Sequence, residues 1–530
     1  MKNNIVTTIE SYFSSNDERV SRTLLILSLI SSIIYFFILF MWFPIRNPWI
    51  FGVLMFGQLF YFWQGINYIY TVWDTTYRAP FDALFKPPVD VFITVAGEPL
   101  EIVEETVRAA YEMDYPNFKI YILNDGFVAK KDNWEEMEIL AKEYAPVCTC
   151  ITRRKPGGAK AGNINNALTV SKNPYIVIFD ADHVPHKDFL KKTMGYFGDK
   201  KVGFVQTPQY YKNFGTNDIT RGAWEQQEIY YGAICRGRNR LGCVTMCGTN
   251  MVVNREALVQ VGGMCDFNIA EDFITGMFMH ERGWISVYVS EVLAQGLAPE
   301  DFISYYKQQL RWARGSLEVL FKFNPVIRWK LRPRLMQLYV ASSGYYLSGL
   351  VTVINALLPL IFFFTKTVPF SVSTMALALA FIPYMFFMMY TIQQSTRYAY
   401  TFHALAFSMG SFMIHIQALL GIFLGKKASF AITSKTKLTG NFFFFALPHL
   451  LYVVVVFSGI TVAFLRDGVT PALITNSAWA FLNIIIFSPF IAAAISESPP
   501  EILLAKPSVK RKLVTRHKEI PTYAYANLKK

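Results

Sequence analysis

The sequence predicts an α/β domain with a mostly parallel sheet, inserted in a set of membrane-spanning helices. Three observations carry that prediction. Long apolar runs crowd both ends of the chain, residues 89–180 alternate strand and helix patterns, and carboxylates stand where those strands stop. The 530 residues are 53% hydrophobic with a mean hydropathy of +0.27, too apolar for an ordinary soluble protein of that length.

Apolar runs at 24–43, 49–70, 338–364, 372–392, 400–424, 442–465 and 474–495 reach the roughly 20 residues that cross a bilayer core. The first is no cleavable signal, because it follows a polar stretch, lacks a small-residue cleavage site and leads at once into a second run. The run 400–424 differs in carrying His403, Ser408, Ser411, His415 and Gln417. If it crossed, segment 430–435 and the basic tail would lie outside. Charge bias and parity therefore favour a helix in the interface, which leaves about six spans.

Between the second and third runs, Val-Asp-Val-Phe-Ile-Thr-Val-Ala at 89–96 reads as a buried strand and 100–113 has helical spacing. A strand at 119–123 ends at Asn124-Asp125-Gly126. A helix at 134–144, a strand at 148–152, a helix at 159–170 and an apolar strand at 175–179 ending at Asp180 follow. Such alternation implies a parallel sheet covered on both faces. Ligands of such sheets bind beyond the carboxyl ends of the strands, where Asp125 and Asp180-Ala181-Asp182 fall. No Gly-x-Gly-x-x-Gly follows the first strand, and Gly157–Gly162 lacks the Gly-Lys-Ser/Thr of a phosphate loop, which disfavours a dehydrogenase and a P-loop ATPase. The expected organisation is an N-terminal cytosolic segment with two spans (1–88), the α/β domain with interface helices (89–335), a second transmembrane region (336–495) and a basic cytoplasmic tail (496–530).

The net charge of +13 does not point to nucleic acid. Lys and Arg are sparse in the turns 44–48, 365–371 and 466–471 and abundant in the middle domain and tail, which is the positive-inside pattern. All six cysteines (148, 150, 235, 243, 247, 265) lie in the middle domain with no paired Cys-x-x-Cys, so reduced thiols are expected and a structural zinc site is not. His280, His403, His415 and His449 read as packing or interfacial residues.

The motifs in chain order are Asp125-Gly126, Lys160-Ala-Gly-Asn-Ile-Asn-Asn166, Asp180-Ala-Asp182-His183, Glu271-Asp272, Gln308-Gln-Leu-Arg311-Trp312 and Phe430-Ala-Ile-Thr-Ser-Lys435. Ordered carboxylates followed by Gln-x-x-Arg-Trp resemble a membrane-integrated, processive family-2 glycosyltransferase, most nearly the bacterial cellulose synthase catalytic subunit. The resemblance implies a GT-A-like (Rossmann-like) cytosolic domain in an α-helical transmembrane domain with interfacial helices. It implies an inverting enzyme that polymerises a UDP-sugar, UDP-glucose the expected donor, into a cellulose-like β-glucan and moves it across the plasma membrane. Asp180 and Asp182 would hold Mg²⁺ or Mn²⁺. Asp125, Lys160, Asp180, Gln308, Arg311 and Lys435 would meet the donor, with Lys160 at a helix start suited to phosphate. Asp272, with Glu271 beside it, would deprotonate the acceptor hydroxyl. Trp312, Cys247 and Gly248 would meet the acceptor, and the Phe430–Lys435 segment resembles a gating loop.

Departures are few. Asn124 stands where the family shows Asp, and Ala270 where it shows Thr. The 35 residues after Ile495 are too few for the PilZ domain that cellulose synthases typically carry, so cyclic-di-GMP control within the chain is not expected. Expected partners are the UDP-sugar, the growing polysaccharide, the bilayer and accessory export or periplasmic subunits, with no nucleic acid. Two alternatives stay open. One is a transferase adding a single sugar to a lipid or glycan, and the other is a transporter that merely binds nucleotide sugar.

Overall fold

A computed structural model describes residues 19–371, 373–426 and 442–495. The gating-loop-like segment with Lys435, and the basic tail, lie outside the described residues. Helices α1 (Arg22–Met41) and α2 (Pro48–Val72) come first. Each begins on a side-chain cap, Ser21 accepting from the Leu24 N–H and Asn47 from the Ile50 N–H at 3.1 Å, with Pro48 at the first helical position.

The central sheet has seven strands: β1 (Val89–Val95), β2 (Phe118–Asn124), β3 (Cys148–Thr152), β4 (Tyr175–Asp180), β5 (Val202–Gln206), β6 (Met251–Asn254) and β7 (Ile285–Tyr288). Their spatial order is β3-β2-β1-β4-β6-β5-β7. Pairing is parallel except that β6 runs antiparallel to both neighbours. The expected parallel half is thus present, and three strands that periodicity did not single out complete the sheet. All seven residues of β1 are buried, as a central strand covered on both faces requires. Helices α3 (Leu100–Tyr111) and α4 (Glu136–Glu143) pack against β1, β2 and β3. Helix α5 (Ala159–Leu168) starts after Gly157 and Gly158, whose φ values of 143° and 65° turn the chain sharply into its first turn.

Helices α6 (Asp218–Glu228), α7 (Glu271–Glu281) and α8 (Phe302–Lys322) connect this domain to the apolar ones. Beyond a short turn α9 (Pro325–Arg328) come α10 (Pro333–Gly344), α11 (Ser348–Thr365), α12 (Thr374–Ser395), α13 (Phe402–Gly410), α14 (Phe412–Phe423), α15 (Phe443–Asp467) and α16 (Pro471–Ile495). Among the described residues, seven helical stretches are long and apolar enough to cross a membrane, where about six were expected. The additional one is 402–423. It is broken at Ser411 into α13 and α14, which lie against α6 and α8 of the α/β domain. All six cysteines are free thiols. His280 is a packing residue, its ring nitrogens 2.7 Å from the Tyr339 hydroxyl and 3.0 Å from that of Ser286.

Candidate active site

The register sets the site. Parallel pairing puts Val95 opposite Asn124 and Thr94 opposite Asp180, so Asp125 and Asp180 flank the end of β1. Arg153 grips Asp125 through two bonds, Nε to Oδ1 at 2.7 Å and Nη2 to Oδ2 at 2.5 Å. The same guanidinium donates to the carbonyls of Gly157 and Ala159 and so holds the turn before α5. Burial raises the Asp125 pKa, and Arg153 opposes the shift. Sequence reasoning missed Arg153. The β2–β3 register, which pairs Asn124 with Thr152, brings 153 beside 125, and no local pattern in the sequence marks it. Asn124 has its own logic. Its amide donates to the Trp134 carbonyl at 2.7 Å while its oxygen accepts the Gly126 N–H at 2.9 Å. A carboxylate there could only accept.

Lys160, in the first turn of α5, reaches across to the DxD strand end. Its ammonium lies 2.5 Å from Asp180 Oδ1 and donates to the Gly248 carbonyl at 2.8 Å. Burial would lower the Lys160 pKa, but Asp180, Glu271 and Asp272 around it outweigh that and raise it. Thr94 donates to Asp180 at 3.2 Å, and the Asp180 N–H bonds the Thr249 hydroxyl at 2.9 Å. Asp182 accepts the Leu297 N–H at 3.0 Å, and His183 is packed 3.0 Å from the Asn250 amide oxygen.

Glu271 and Asp272 open α7. Asp272 Oδ1 accepts the Phe273 N–H at 2.7 Å. Opposite stands Gly248, whose φ of +79° and missing side chain leave room for the carboxylate. Cys247 is pinned by Gln206 Oε1 on its N–H at 2.9 Å and Gln209 on its carbonyl at 2.8 Å, and burial pushes its thiol up to about 12. Burial also raises both acidic pKa values at 271 and 272, Glu271 further through its charged neighbour Asp272.

Helix α8 is capped by Asp301, which accepts the Ser304 N–H at 2.7 Å. Gly315 lets it press on the loop before α7, since a Cβ there would lie 2.6 Å from that of Ala270. Farther along, Glu318 binds Asn268 at 3.2 Å and Arg314 at 3.1 Å, while Arg314 Nη2 donates to the Lys426 carbonyl at 2.6 Å. Gln308, Arg311 and Trp312, spaced i, i+3, i+4, share one face of α8. Gln308 is buried, and among the described residues its amide oxygen has no hydrogen-bond partner.

One cavity of about 1650 Å³ collects these groups. Asp125, Lys160, Asp180, Asp182, Cys247, Gly248, Glu271, Asp272, Gln308, Arg311 and Trp312 all line it, so every candidate except the undescribed Lys435 converges there. It continues past Tyr345 and Asn355 to Thr367 and Trp479, among the apolar helices.

Residues 87–315 match the family profile described as glycosyltransferase like family 2, and residues 259–466 match that described as cellulose synthase. The chain is thus similar to family-2 glycosyltransferases over the first stretch and to cellulose synthases over an overlapping second one that runs on into the apolar helices. Among curated relatives, "Putative cellulose synthase 2" of Komagataeibacter xylinus is 28% identical over 453 residues, 81% of this chain and 29% of that one. The UDP-forming cellulose synthase catalytic subunit of Komagataeibacter sucrofermentans is 26% identical over 490 residues, 86% of this chain and 63% of that one. The chain therefore spans less than two thirds of either relative. A solved mannosyltransferase of Pyrobaculum calidifontis, in complex with GDP-Man and Mn²⁺, aligns with a TM-score of 0.47 at 17% identity, covering 76% of this chain and 100% of that one.

Proposed function

We propose that the protein is a processive, inverting β-glycosyltransferase that extends a polysaccharide from a UDP-sugar, UDP-glucose first among candidates, and passes the product through its own apolar helices. The observation that carries this reading is the continuity of the cavity, from the carboxylates at the strand ends past Trp312 to Trp479. A single-transfer enzyme needs a pocket, whereas a polymerase needs the pocket to open into an exit. The relatives' printed product and the UDP-forming description of one of them support the same reading.

The roles follow from placement. Asp125, Lys160, Gln308 and Arg311 bind the donor, with Lys160 and Arg311 countering diphosphate charge. Asp272 takes the acceptor's proton, held in place by the Phe273 N–H and faced by Gly248. Trp312 offers a flat face to the terminal sugar and, with the Cys247-Gly248 turn, holds it in register.

The acidic pair fits a divalent metal. Asp180 already carries a cationic neighbour, the Lys160 ammonium, and both carboxylates are hard oxygen donors. Among the described residues no group of three ligands exists, so Asp180 and Asp182 would share Mg²⁺ or Mn²⁺ with substrate oxygens and water. Such an ion, when bound, supplies charge stabilisation to the departing diphosphate.

The test is Trp312→Ala on purified protein of matched thermal stability. Polymer yield should fall far more than donor hydrolysis or donor binding. Equal loss of all three would mark Trp312 as structural. If the wild type, offered a panel of radiolabelled nucleotide sugars, yields only a mono- or disaccharide on a lipid, the polymerase reading fails.

A further inference from the structure

We infer that the turn between α8 and α10 is a foot that docks on an anionic lipid surface and ties the bilayer to the helix bearing Glu271 and Asp272. In this turn Ile327 is 82% exposed and Trp329 is 69% exposed. Trp329 takes a left-handed conformation, φ 48° and ψ 32°, which a bulky side chain adopts only at a cost. Exposed Lys330, Arg332 and Arg334 follow the two apolar side chains in sequence, and exposed Lys322, paired with Glu318 at 3.2 Å, precedes them. Aromatic and aliphatic groups flanked by cations match the headgroup region of an anionic leaflet, where indole settles and basic residues are attracted.

Two bonds set the depth of the foot. Gln337 donates to Asn67 at 2.7 Å and Gln64 to the Ala341 carbonyl at 3.1 Å, so α10 runs antiparallel to α2. Pro333, one turn before Gln337, therefore stands level with the last turn of α2, where that apolar helix ends. The foot emerges at the surface of the bilayer that α2 would cross, on the side of the α/β domain. Behind the foot, Arg328 makes two bonds of 2.8 Å to Glu281 and lies 4.6 Å over the Phe278 ring. Glu281 is the last residue of α7, and Glu271 and Asp272 are its first. The docked turn is thus bolted to the opposite end of the helix that presents the acidic pair. The surface assignment does not depend on which sugar is transferred or on processivity.

The experiment uses the full chain in nanodiscs of phosphatidylcholine alone or with phosphatidylglycerol. An environment-sensitive fluorophore is attached through Ile327→Cys, and the unsubstituted chain, labelled in parallel, corrects for native thiols. In the anionic discs, emission should shift to the blue and be quenched by lipid spin-labelled near the headgroup. The triple variant Lys330→Gln, Arg332→Gln, Arg334→Gln, or removal of phosphatidylglycerol, should lower that quenching about twofold or more. These positions are exposed, so the variant keeps its fold, which circular dichroism checks. Water-like emission in both discs would overturn the docking. Equal quenching with and without phosphatidylglycerol would overturn the recognition of anionic lipid.

Discussion

Gly248 and the Asp272 carboxylate occupy one space between them: a Cβ at Gly248 would stand 2.8 Å from Asp272 Oδ2. The glycine also sits at φ +79°, so a side chain there adds backbone strain to the clash. Gly248→Ala should displace the carboxylate and cut polymer formation by about 10²-fold, with UDP binding within a few-fold of wild type. Isothermal titration beside a radiolabel incorporation assay measures both. Unchanged incorporation would show that Asp272 does not need that space.

Asp272→Asn should keep the fold and donor binding but lower synthesis by about 10²–10⁴-fold, because an amide cannot take the acceptor's proton. A variant polymerising near the wild-type rate would remove Asp272 from the role of base.

The same pair predicts a pH profile. Burial raises both carboxyl pKa values, and a base works only when deprotonated. Activity should therefore rise with pH through a midpoint above the ordinary carboxylate range of about 4. Stability runs the other way. A carboxyl that holds its proton more tightly in the fold favours the folded state at low pH, and that contribution is lost as pH rises through the folded value. A pH–rate profile with its acidic limb at or below the ordinary range would contradict the buried pair.

Activity should require Mg²⁺ or Mn²⁺ and vanish in EDTA. Asp182→Ala should weaken metal-dependent donor binding, read by titrating UDP with and without metal. Full activity in chelator would take Asp180 and Asp182 off the ligand list.

Topology can be read with an impermeant thiol reagent on intact cells. Ser434→Cys and Ser508→Cys should be shielded and Thr367→Cys should react, given the Lys/Arg asymmetry of the turns. Labelling of Ser434→Cys from outside would mean that 402–423 crosses the bilayer despite its break at Ser411.

The sequence by itself determined the parallel half of the sheet, because buried strands and amphipathic helices differ in hydrophobic period and the chain alternates between them cleanly from Val89 to Asp180. It also pointed, through the family resemblance, to the acidic and Gln-x-x-Arg-Trp residues that line the cavity. Strands β5, β6 and β7 were not legible. They do not stand in the regular strand–helix alternation that marks the first half, and β6 is held by partners on both sides rather than by its own pattern. Only the tertiary structure decided that Arg153 holds Asp125, that Lys160 reaches both Asp180 and Gly248, and that Gly248 stands aside for Asp272. Each depends on strand register or on loops distant in sequence, and neither leaves a local signal. The cavity joining the strand ends to Trp479 is likewise a property of how separate helices pack, which no single segment encodes.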